Sequence, residues 1–488
     1  MNGPSRASAG GLAFAGWLVA VMSTCVLLWA ALHVDDGLFV DAKAFYCAGQ
    51  ALDAGRDPYL NASLNACQNA LNTLQLHHWP GAENIVVPVP LPPVDILPFA
   101  LLALLPFGIA IAIWTAVNIG CAAWAAALLR RALPSLSAPF VGTIVVLAVL
   151  PAGIRLGQPA GVVLLAVVAA GLGLRAGSRA LIGSSAALTV LQPHIAVPLF
   201  AALLCAPQRA ARRIAIAVGA ALAALSAVVV GRLSWEYVTR VLPAHADANV
   251  SDATQLSLPS ALFTAGVPAH LALIVGDVAY VAAIAAGIAI ALRIAARTAR
   301  PEALIWLTTM IGTIAAPHLH TQQLCCAIPG ALLLCTLESA PVLTRAAVYG
   351  VAIPWLSLLS LKWGPAFPIG AAFGAWRKPS PLGLLLIAAF AAMLCGTLVG
   401  LAELLAALKH PVNPVAVARP PADALAEVTW AIGIAVDSAA FRVGTVPARA
   451  VTWTAEIILV GVAVAAARFL PVQSKEVVRV NGTSVPIG

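Results

Sequence analysis

Long apolar runs separated by short polar turns dominate the hydrophobic pattern of this 488-residue chain. Such runs predict α-helices that cross a bilayer, because a span needs about 20 apolar residues and a helix leaves no backbone group unpaired. Some runs are shorter, and we expect helices broken at Pro193 and Pro198 that line a cavity within the protein. The predicted spans lie near 11–32, 107–129, 139–153, 159–174, 180–192, 195–207, 213–231, 269–292, 302–316, 323–337, 345–361, 381–407 and 448–470.

Composition agrees with a membrane protein and excludes several other classes. Hydrophobic residues make up 61% of the chain and charged residues 9%, whereas about a quarter of a soluble domain is charged. The runs are long rather than short and alternating, which favours an all-α polytopic protein over a β-barrel. The net charge of +8 is distributed in small groups beside apolar runs. We therefore expect membrane lipids, and no nucleic acid, as partners.

The positions of the basic residues predict a cytoplasmic amino terminus. Positively charged residues accumulate in the cytoplasmic turns of membrane proteins, and alternate turns of this chain are rich in arginine. The long loops 33–106, 232–268 and 362–380 are then outside. The basic residues of the predicted cytoplasmic turns are Arg6, Arg130, Arg131, Arg175, Arg179, Arg209, Arg212, Arg213, Arg293, Arg297, Arg300, Arg345 and Lys409.

The first outer loop, residues 33–106, opens with a group of acids. Asp41 begins a predicted helix over residues 41–54, soon after the first span. Its carboxylate could accept the proton of an acceptor hydroxyl. An inverting sugar transfer needs one such base. Asp41 could instead serve only as the helix N-cap, and Asp35 and Asp36 offer the same chemistry.

Two further features predict the shape of this loop. Prolines up to Pro93 precede residues 94–105, an apolar stretch that is too short to span and is expected to lie at the membrane surface. Cys47 and Cys67 also lie in the loop. They could form a disulfide if the loop faces an oxidising compartment, so their state depends on the orientation of the chain.

Three polar breaks interrupt the apolar runs on the predicted outer side. His318 and His320 form one break and could bind a phosphate or orient a leaving group. No acidic partner follows them at metal-ligand spacing, so no metal is expected. Polar groups at helix ends in lipid are candidates for function, although ordinary hairpin turns would look the same. We expect one shared outer cavity. The other two breaks contain Arg155, Gly157, Gln158, Gln192, Pro193 and His194.

These features follow one another in the order seen in a known family. Residues 41–59 contain an Asp, an aromatic pair, an Ala-Gly step, a Gly and a Tyr, and a proline-led stretch ends at Pro106. Gly157-Gln158 and Pro317-His318 follow. The chain resembles the family-87 glycosyltransferases of the GT-C superfamily, which are polytopic enzymes typified by polyprenol-phosphate-mannose-dependent mannosyltransferases. The resemblance extends over residues 11–400.

The chain differs from the family beside two of the breaks. Gln192 precedes Pro193 where many members carry a lysine, and Gln322 and Gln323 follow the Pro-His break where an acid is common. Both positions are near the expected donor site. The differences therefore bear on how the donor phosphate is held and on which substrate is used.

The resemblance implies an architecture. It implies an all-α GT-C fold of 12–13 membrane helices with juxtamembrane helices in the first outer loop. The glycosyltransferase domain would occupy residues 1–409, with a carboxyl-terminal extension over 410–488 that holds a further span near 448–470. The location implied is the bacterial inner (plasma) membrane, with a periplasmic active site.

The resemblance also implies a reaction. A hexosyltransferase of this kind moves a sugar, expected to be mannose, from a polyprenyl-phosphate donor to a lipid or glycan acceptor with inversion and without a cofactor or metal. Asp41 would be the general base, and His318 would be catalytic beside the donor phosphate or the acceptor. The expected substrate-binding residues are Tyr46, Tyr59, Arg155, Gln158, Gln192, His194 and His320.

Two other classes of function are compatible with the sequence. A transporter or lipid flippase would carry paired charges at mid-membrane depth and symmetric halves. Here acids within the predicted spans, such as Asp277 and Glu403, are sparse, and the polar residues gather at one face. A structural scaffold would have no deep outer cavity. The three classes therefore differ in the cavity that each predicts.

Overall fold

The computed structural model is a helical membrane protein, as predicted. It describes residues 38–72, 84–337, 341–354, 420–441, 446–471, 477–480 and 483–486, together with 14, 16–19, 21 and 22. The predicted span 381–407 and most of 11–32 lie outside these residues. The helices are α1 (Val40–Asp53), α2 (Asn61–Ala70), α3 (Pro93–Ala103), α4 (Phe107–Ala132), α5 (Ala138–Val149), α6 (Ala160–Ala176), α7 (Arg179–Thr189), α8 (Pro193–Leu204), α9 (Arg209–Val229), α10 (Arg232–Glu236), α11 (Leu242–Asn249), α12 (Leu258–Thr264), α13 (Ala269–Thr298), α14 (Glu302–Ile314), α15 (Ile328–Leu334), α16 (Pro341–Ala352), α17 (Ala426–Phe441) and α18 (Val446–Phe469).

Short helices of other kinds extend three of these elements. A π-helical turn, Leu150–Ile154, continues α5, and a second one, Tyr237–Val241, joins α10 to α11. A 3₁₀ helix, Thr321–Ala327, leads into α15. The prediction of a break at Pro193 is confirmed, because α7 ends at Thr189 before α8 begins. The prediction for Pro198 is wrong: this proline lies inside α8.

Four helices in the described part of the chain are long and apolar enough to cross a membrane. They are α4, α9, α13 and the part of α18 over Arg449–Phe469. Helices α9 and α13 are mostly exposed and present large apolar side chains such as Val228 and Val278 outwards. Such faces are expected to contact lipid, because exposure of this apolar surface to water would be unfavourable. The shorter apolar helices pack between the long ones around one large core.

A second layer covers one end of the bundle. We call it the loop layer; it consists of residues 38–72, 84–106, 232–268 and 420–441, and it has its own aromatic core. The helix predicted over 41–54 is present as α1, shifted by one residue. The sequence allowed Asp41 to be the N-cap of this helix, and the structure shows that it is not. Phe39 holds that position, and Asp41 lies in the first turn.

The first two helices of the loop layer are joined covalently. Cys47 in α1 and Cys67 in α2 form a disulfide, which was one of the two states that the sequence allowed. The apolar stretch expected at the membrane surface is present as α3, which begins with Pro93 at its N-terminal turn. These contacts hold α1 in a fixed position above the bundle.

The carboxyl-terminal part of the chain returns to both layers. Helix α17 begins in the loop layer, where Leu60 and Leu425 form an isolated antiparallel β-bridge. Helix α18 corresponds to the span predicted near 448–470 and packs on α16. A short antiparallel hairpin follows, formed by β1 (Val477–Val480) and β2 (Thr483–Pro486), with Val478 paired to Val485. The hairpin is the only strand pairing in the described residues outside that bridge.

Candidate active site

One large cavity of about 900 Å³ lies between the loop layer and the adjacent ends of the bundle helices. A volume of this size is in the range of ligand sites in proteins. The polar breaks converge on this cavity, as expected from the sequence. The predicted site residues on its wall are Asp41, Arg155, Gln158, Gln192, His194, His318 and His320.

Asp41 faces the cavity and is held by a chain of amides. Gln158 Nε2 donates to Asp41 Oδ2 over 2.7 Å, and Gln192 Nε2 donates to Gln158 Oε1 over 3.4 Å. Burial raises the pKa of the Asp41 carboxyl to about 6, although the bond from Gln158 lowers it. At neutral pH the group is therefore an ionised base whose pKa is close to the working pH, which favours proton acceptance.

The turn that carries Gln158 fits directly against α1. Gly157 has a φ of +78°, and a Cβ there would collide with Ala42 of α1. The Phe39 amide donates to the Arg155 carbonyl at 2.8 Å, and Trp114 Nε1 donates to the Gly157 carbonyl at 2.7 Å. Because only glycine combines this backbone conformation with this closeness, the Gly-Gln turn fixes Gln158 beside Asp41.

Four histidines form a second group on the cavity wall. The ring centroid of His318 lies 4.8 Å from that of His245, 4.8 Å from that of His320 and 6.5 Å from that of His194. Burial, followed by repulsion between neighbouring imidazoles, lowers the pKa of His318, and it lowers the pKa of His245 to about 3. These rings are therefore neutral at neutral pH, and an adjacent anion would favour their protonated forms.

The second long loop positions the Pro-His break. Gln255 Nε2 lies 2.6 Å from His318 Nδ1, and Gln255 Oε1 accepts the Leu319 amide at 3.3 Å. The Leu256 amide donates to the Leu319 carbonyl at 2.8 Å, and Thr254 Oγ1 lies 3.5 Å from His320 Nδ1. The orientation of His318 thus depends on residues about 60 positions away along the chain.

Several lining residues were not singled out from the sequence. His245, Asn249 and Gln255 come from loop 232–268, and Trp430 comes from the carboxyl-terminal extension. No motif marks them, because each is a single polar or aromatic residue in a long loop. Their common signal is visible only in the fold, where buried polar side chains at the outer ends of separate elements meet.

Not all of the expected binding residues reach this cavity. The Tyr46 hydroxyl donates to the Leu105 carbonyl at 2.8 Å, and the Tyr59 hydroxyl donates to the Leu91 carbonyl at 2.7 Å. Both rings are buried in the aromatic core of the loop layer, away from the cavity wall. Arg240, a further basic candidate, is exposed. Asp35, Asp36, Lys362 and Glu403 lie outside the described residues.

The cavity also reaches the lipid-facing side of the bundle. Leu273 and Asp277 of α13 line it, while Ile274 and Val278 on the same helix are exposed to the surroundings of the bundle. Asp277 was noted in the sequence as an acid within a span. Its place on the cavity wall agrees with the rule that intramembrane acids face protein or water. Among the described residues, no three His, Cys, Asp or Glu side chains are arranged to hold a metal ion.

Comparison with known proteins finds a family model that is similar to the central part of the chain. Residues 91–317 match the family model of glycosyltransferase family 87. The matched region contains the Gly-Gln turn and the Gln192–His194 break, and it ends next to His318; Asp41 precedes it. No curated protein and no solved structure matches the chain. The match confirms the resemblance noted in the sequence over this region.

Proposed function

Because residues 91–317 are similar to glycosyltransferase family 87, we propose that the chain is a membrane glycosyltransferase that transfers mannose from a polyprenyl-phosphate donor to a lipid or glycan acceptor. Asp41 removes the proton of the acceptor hydroxyl as that oxygen attacks the anomeric carbon. The lipid phosphate leaves from the opposite face of the sugar, so the configuration inverts. The donor brings its own leaving group, and the reaction uses neither a nucleotide sugar nor a metal.

The placement of the Asp41 carboxylate supports this proposal most directly. It lines a cavity large enough for a sugar, it accepts a 2.7 Å hydrogen bond from Gln158, and its pKa is raised to about 6. A carboxylate used only as a helix cap would bond to backbone amides of the first turn, whereas the hydrogen bond that Asp41 accepts in the described part of the chain comes from the Gln158 side chain. The geometry therefore favours a role for the Asp41 carboxylate as the base that accepts a proton from the substrate.

The histidine side of the cavity provides the groups that a departing phosphate needs. Arg155, His194 and His318 all line the cavity. Positive charge and hydrogen-bond donors at the place where charge develops stabilise a leaving anion. The neutral imidazoles can become cationic when the phosphate arrives, because an adjacent anion raises the pKa of a histidine. We therefore assign the donor phosphate to this side.

The route of the lipid tail follows from the apolar wall. Leu273 lines the cavity, and the neighbouring faces of α13 expose Ile274 and Val278 at 57% and 66% of their surface. A polyprenyl chain that leaves the cavity here would lie along an apolar helix rather than in water, which is favourable by about 25 cal/mol for each Å² covered.

The proposed location is the bacterial inner membrane, with a cytoplasmic amino terminus and the cavity facing the periplasm. The Cys47–Cys67 disulfide lies in the loop layer beside Asp41, and disulfides persist in oxidising compartments. The opposite ends of the spanning helices carry basic residues, with Arg130 in the last turn of α4 and Arg297 in the last turn of α13. Positive charge is retained on the cytoplasmic side.

The proposal predicts that Asp41→Asn abolishes transfer. General-base catalysis contributes about 10²–10⁴ in rate, and an amide cannot accept the proton. The assay follows radiolabelled mannose from polyprenyl-phosphate mannose into lipid and glycan products, with purified full-length protein in nanodiscs. Wild-type activity should fall as the pH decreases below about 6, because protonated Asp41 (pKa about 6) is no longer a base.

Asp53→Asn is the matched control, because Asp53 lies at the exposed end of the same helix. It should retain wild-type activity and the same acid limb of the pH profile. Full transfer by Asp41→Asn would contradict the assignment of the base. Absence of transfer by the wild-type protein with this donor would contradict the proposed donor itself.

A further inference from the structure

Helix α17, which lies beyond the family-matched region, contributes an aromatic side chain to the cavity. Trp430 lines the cavity and is half-buried, and its Nε1 donates to Asn249 Oδ1 at 3.4 Å. Asn249 is itself fixed, because its Nδ2 donates to the His245 carbonyl at 2.8 Å. The indole is therefore held in one orientation by a buried amide.

The start of α17, which carries Trp430, is anchored in the loop layer. The Ala426 amide donates to the Tyr59 carbonyl and the Asn61 amide to the Ala424 carbonyl, both at 2.9 Å. The Asn61 side chain donates to Thr429 Oγ1 at 2.8 Å. These bonds anchor the start of α17 to the first long loop. Trp430 thus lies on the part of the cavity wall that the loop layer forms.

A buried carboxyl group lies next to this wall. Glu427, one turn before Trp430, has its Oε1 3.8 Å from His245 Nδ1, and neither of its oxygens has a hydrogen-bond partner among the described residues. Burial raises the pKa of Glu427 to about 7. Charge on a buried carboxyl is costly, and the raised pKa reflects that cost. Glu427 does not line the cavity; its contact with His245 places the first turn of α17 beside α11, which carries Asn249.

We propose that Trp430 is the platform for the sugar ring of the acceptor, with Asn249 as the positioning residue that orients the indole. This inference rests on the proposed function. One face of a pyranose carries C–H groups and its rim carries hydroxyls, so it matches a tryptophan, which pairs an apolar ring with a polar edge. The donor enters from the lipid beside α13, and the acceptor binds to the part of the wall that the loop layer forms, with its hydroxyl directed towards Asp41.

The test measures acceptor binding and acceptor kinetics separately. The probes are methyl α-D-mannopyranoside, its glucose and galactose analogues and α-mannobiose, titrated against full-length protein in nanodiscs by saturation-transfer-difference NMR. The same sugars are then used as acceptors with polyprenyl-phosphate mannose. We expect Trp430→Ala to weaken binding and to raise the acceptor KM about tenfold, while the donor KM stays within about twofold.

Two further variants serve as controls for the effect of Trp430→Ala on acceptor binding. Trp430→Phe keeps an aromatic face and should lie within about threefold of wild type in acceptor KM. Trp235→Ala removes a tryptophan of the loop layer that is 71% exposed and lies off the cavity wall, and it should leave acceptor binding unchanged. Recovery of monodisperse Trp430→Ala protein with wild-type helicity excludes misfolding as the cause.

The outcomes separate this inference from the proposed function. Transfer that proceeds with an unchanged acceptor KM in Trp430→Ala overturns the platform and leaves the donor assignment in place. An increase in the donor KM alone in Trp430→Ala also overturns the platform. The same conclusion follows if the wild-type protein shows no saturable sugar binding. Sugar binding that needs Trp430, together with no transfer from the polyprenyl-phosphate donor, contradicts the donor assignment and supports the platform.

Discussion

The helix bundle packs through aliphatic and small side chains, whereas the loop layer packs through aromatic rings. Within the bundle, α4 and α6 approach closely at Gly161, whose amide donates to Asn118 Oδ1 at 3.1 Å. In the loop layer, the hydroxyls of Tyr46, Tyr59 and Tyr237 each donate to a backbone carbonyl of the segment 90–105. Only the loop layer contains a disulfide among the described residues.

The difference follows from the surroundings of the two regions. Lipid provides little hydrophobic force between helices, so close backbone approach at small residues holds the bundle together. The loop layer borders water and the membrane surface, where burial of aromatic rings is favourable and directional bonds fix their positions. Asp41 belongs to the second region and Gln158 to the first. The candidate base therefore depends on both kinds of packing at once.

The largest effect is expected from a substitution that separates two bundle helices. In Gly161→Leu, the new Cβ would collide with the Asn118 carbonyl oxygen, which is backbone and cannot move aside. We expect a loss of about 4 kcal/mol or more, seen as failure to recover monodisperse protein after purification. Gly120→Leu on α4 is the control, because its Cβ would meet open space. Equal recovery of the two variants would contradict this account of the bundle.

A smaller effect, confined to the loop layer, is expected from removal of the disulfide. The bond closes a loop between residues that are 20 positions apart, and its loss should cost about 3 kcal/mol. Trypsin cleavage after Arg56, an exposed residue in the turn between α1 and α2, should accelerate about a hundredfold in Cys47→Ser/Cys67→Ser. Cys205→Ser, which removes an exposed free thiol, serves as the control. Loss of helical circular dichroism in the double variant would show that the two regions unfold as one.

The smallest effect is expected from a single hydroxyl of the aromatic core. Tyr46→Phe removes the bond to the Leu105 carbonyl and should destabilise α1 by about 1 kcal/mol. Cleavage after Arg56 should then accelerate about fivefold. The KM values for donor and acceptor should not change, because the ring lies away from the cavity. A raised KM with unchanged cleavage would restore Tyr46 as a substrate-binding residue.

The sequence alone predicted the membrane fold and part of the site. Periodicity and run length gave the helices, because a span must be long, apolar and internally hydrogen-bonded. Polar breaks between apolar runs identified Gln158, Gln192 and His318, since a polar group at such a position is costly without a role. These residues do line one cavity. Their catalytic roles remain predictions.

The rest of the site could not be predicted in this way. Asn249, Gln255 and Trp430 occur in loops of ordinary composition, where a buried position does not differ in sequence from an exposed one. Their contacts join residues that are far apart in the chain, such as Trp430 and Asn249. Tyr46 and Tyr59 were predicted to bind substrate and instead stabilise the loop layer. A sequence motif can therefore include residues with a purely structural role.

The bridge between Leu60 and Leu425 has a consequence for how the molecule is made. A ribosome must synthesise every helix from α2 to α16 before residue 425 is available to pair with residue 60. Until then the Tyr59 carbonyl and the Asn61 amide lack the partners that they have in the finished protein. The part of the cavity wall that α17 contributes is thus added only after the membrane helices between these two residues have been synthesised.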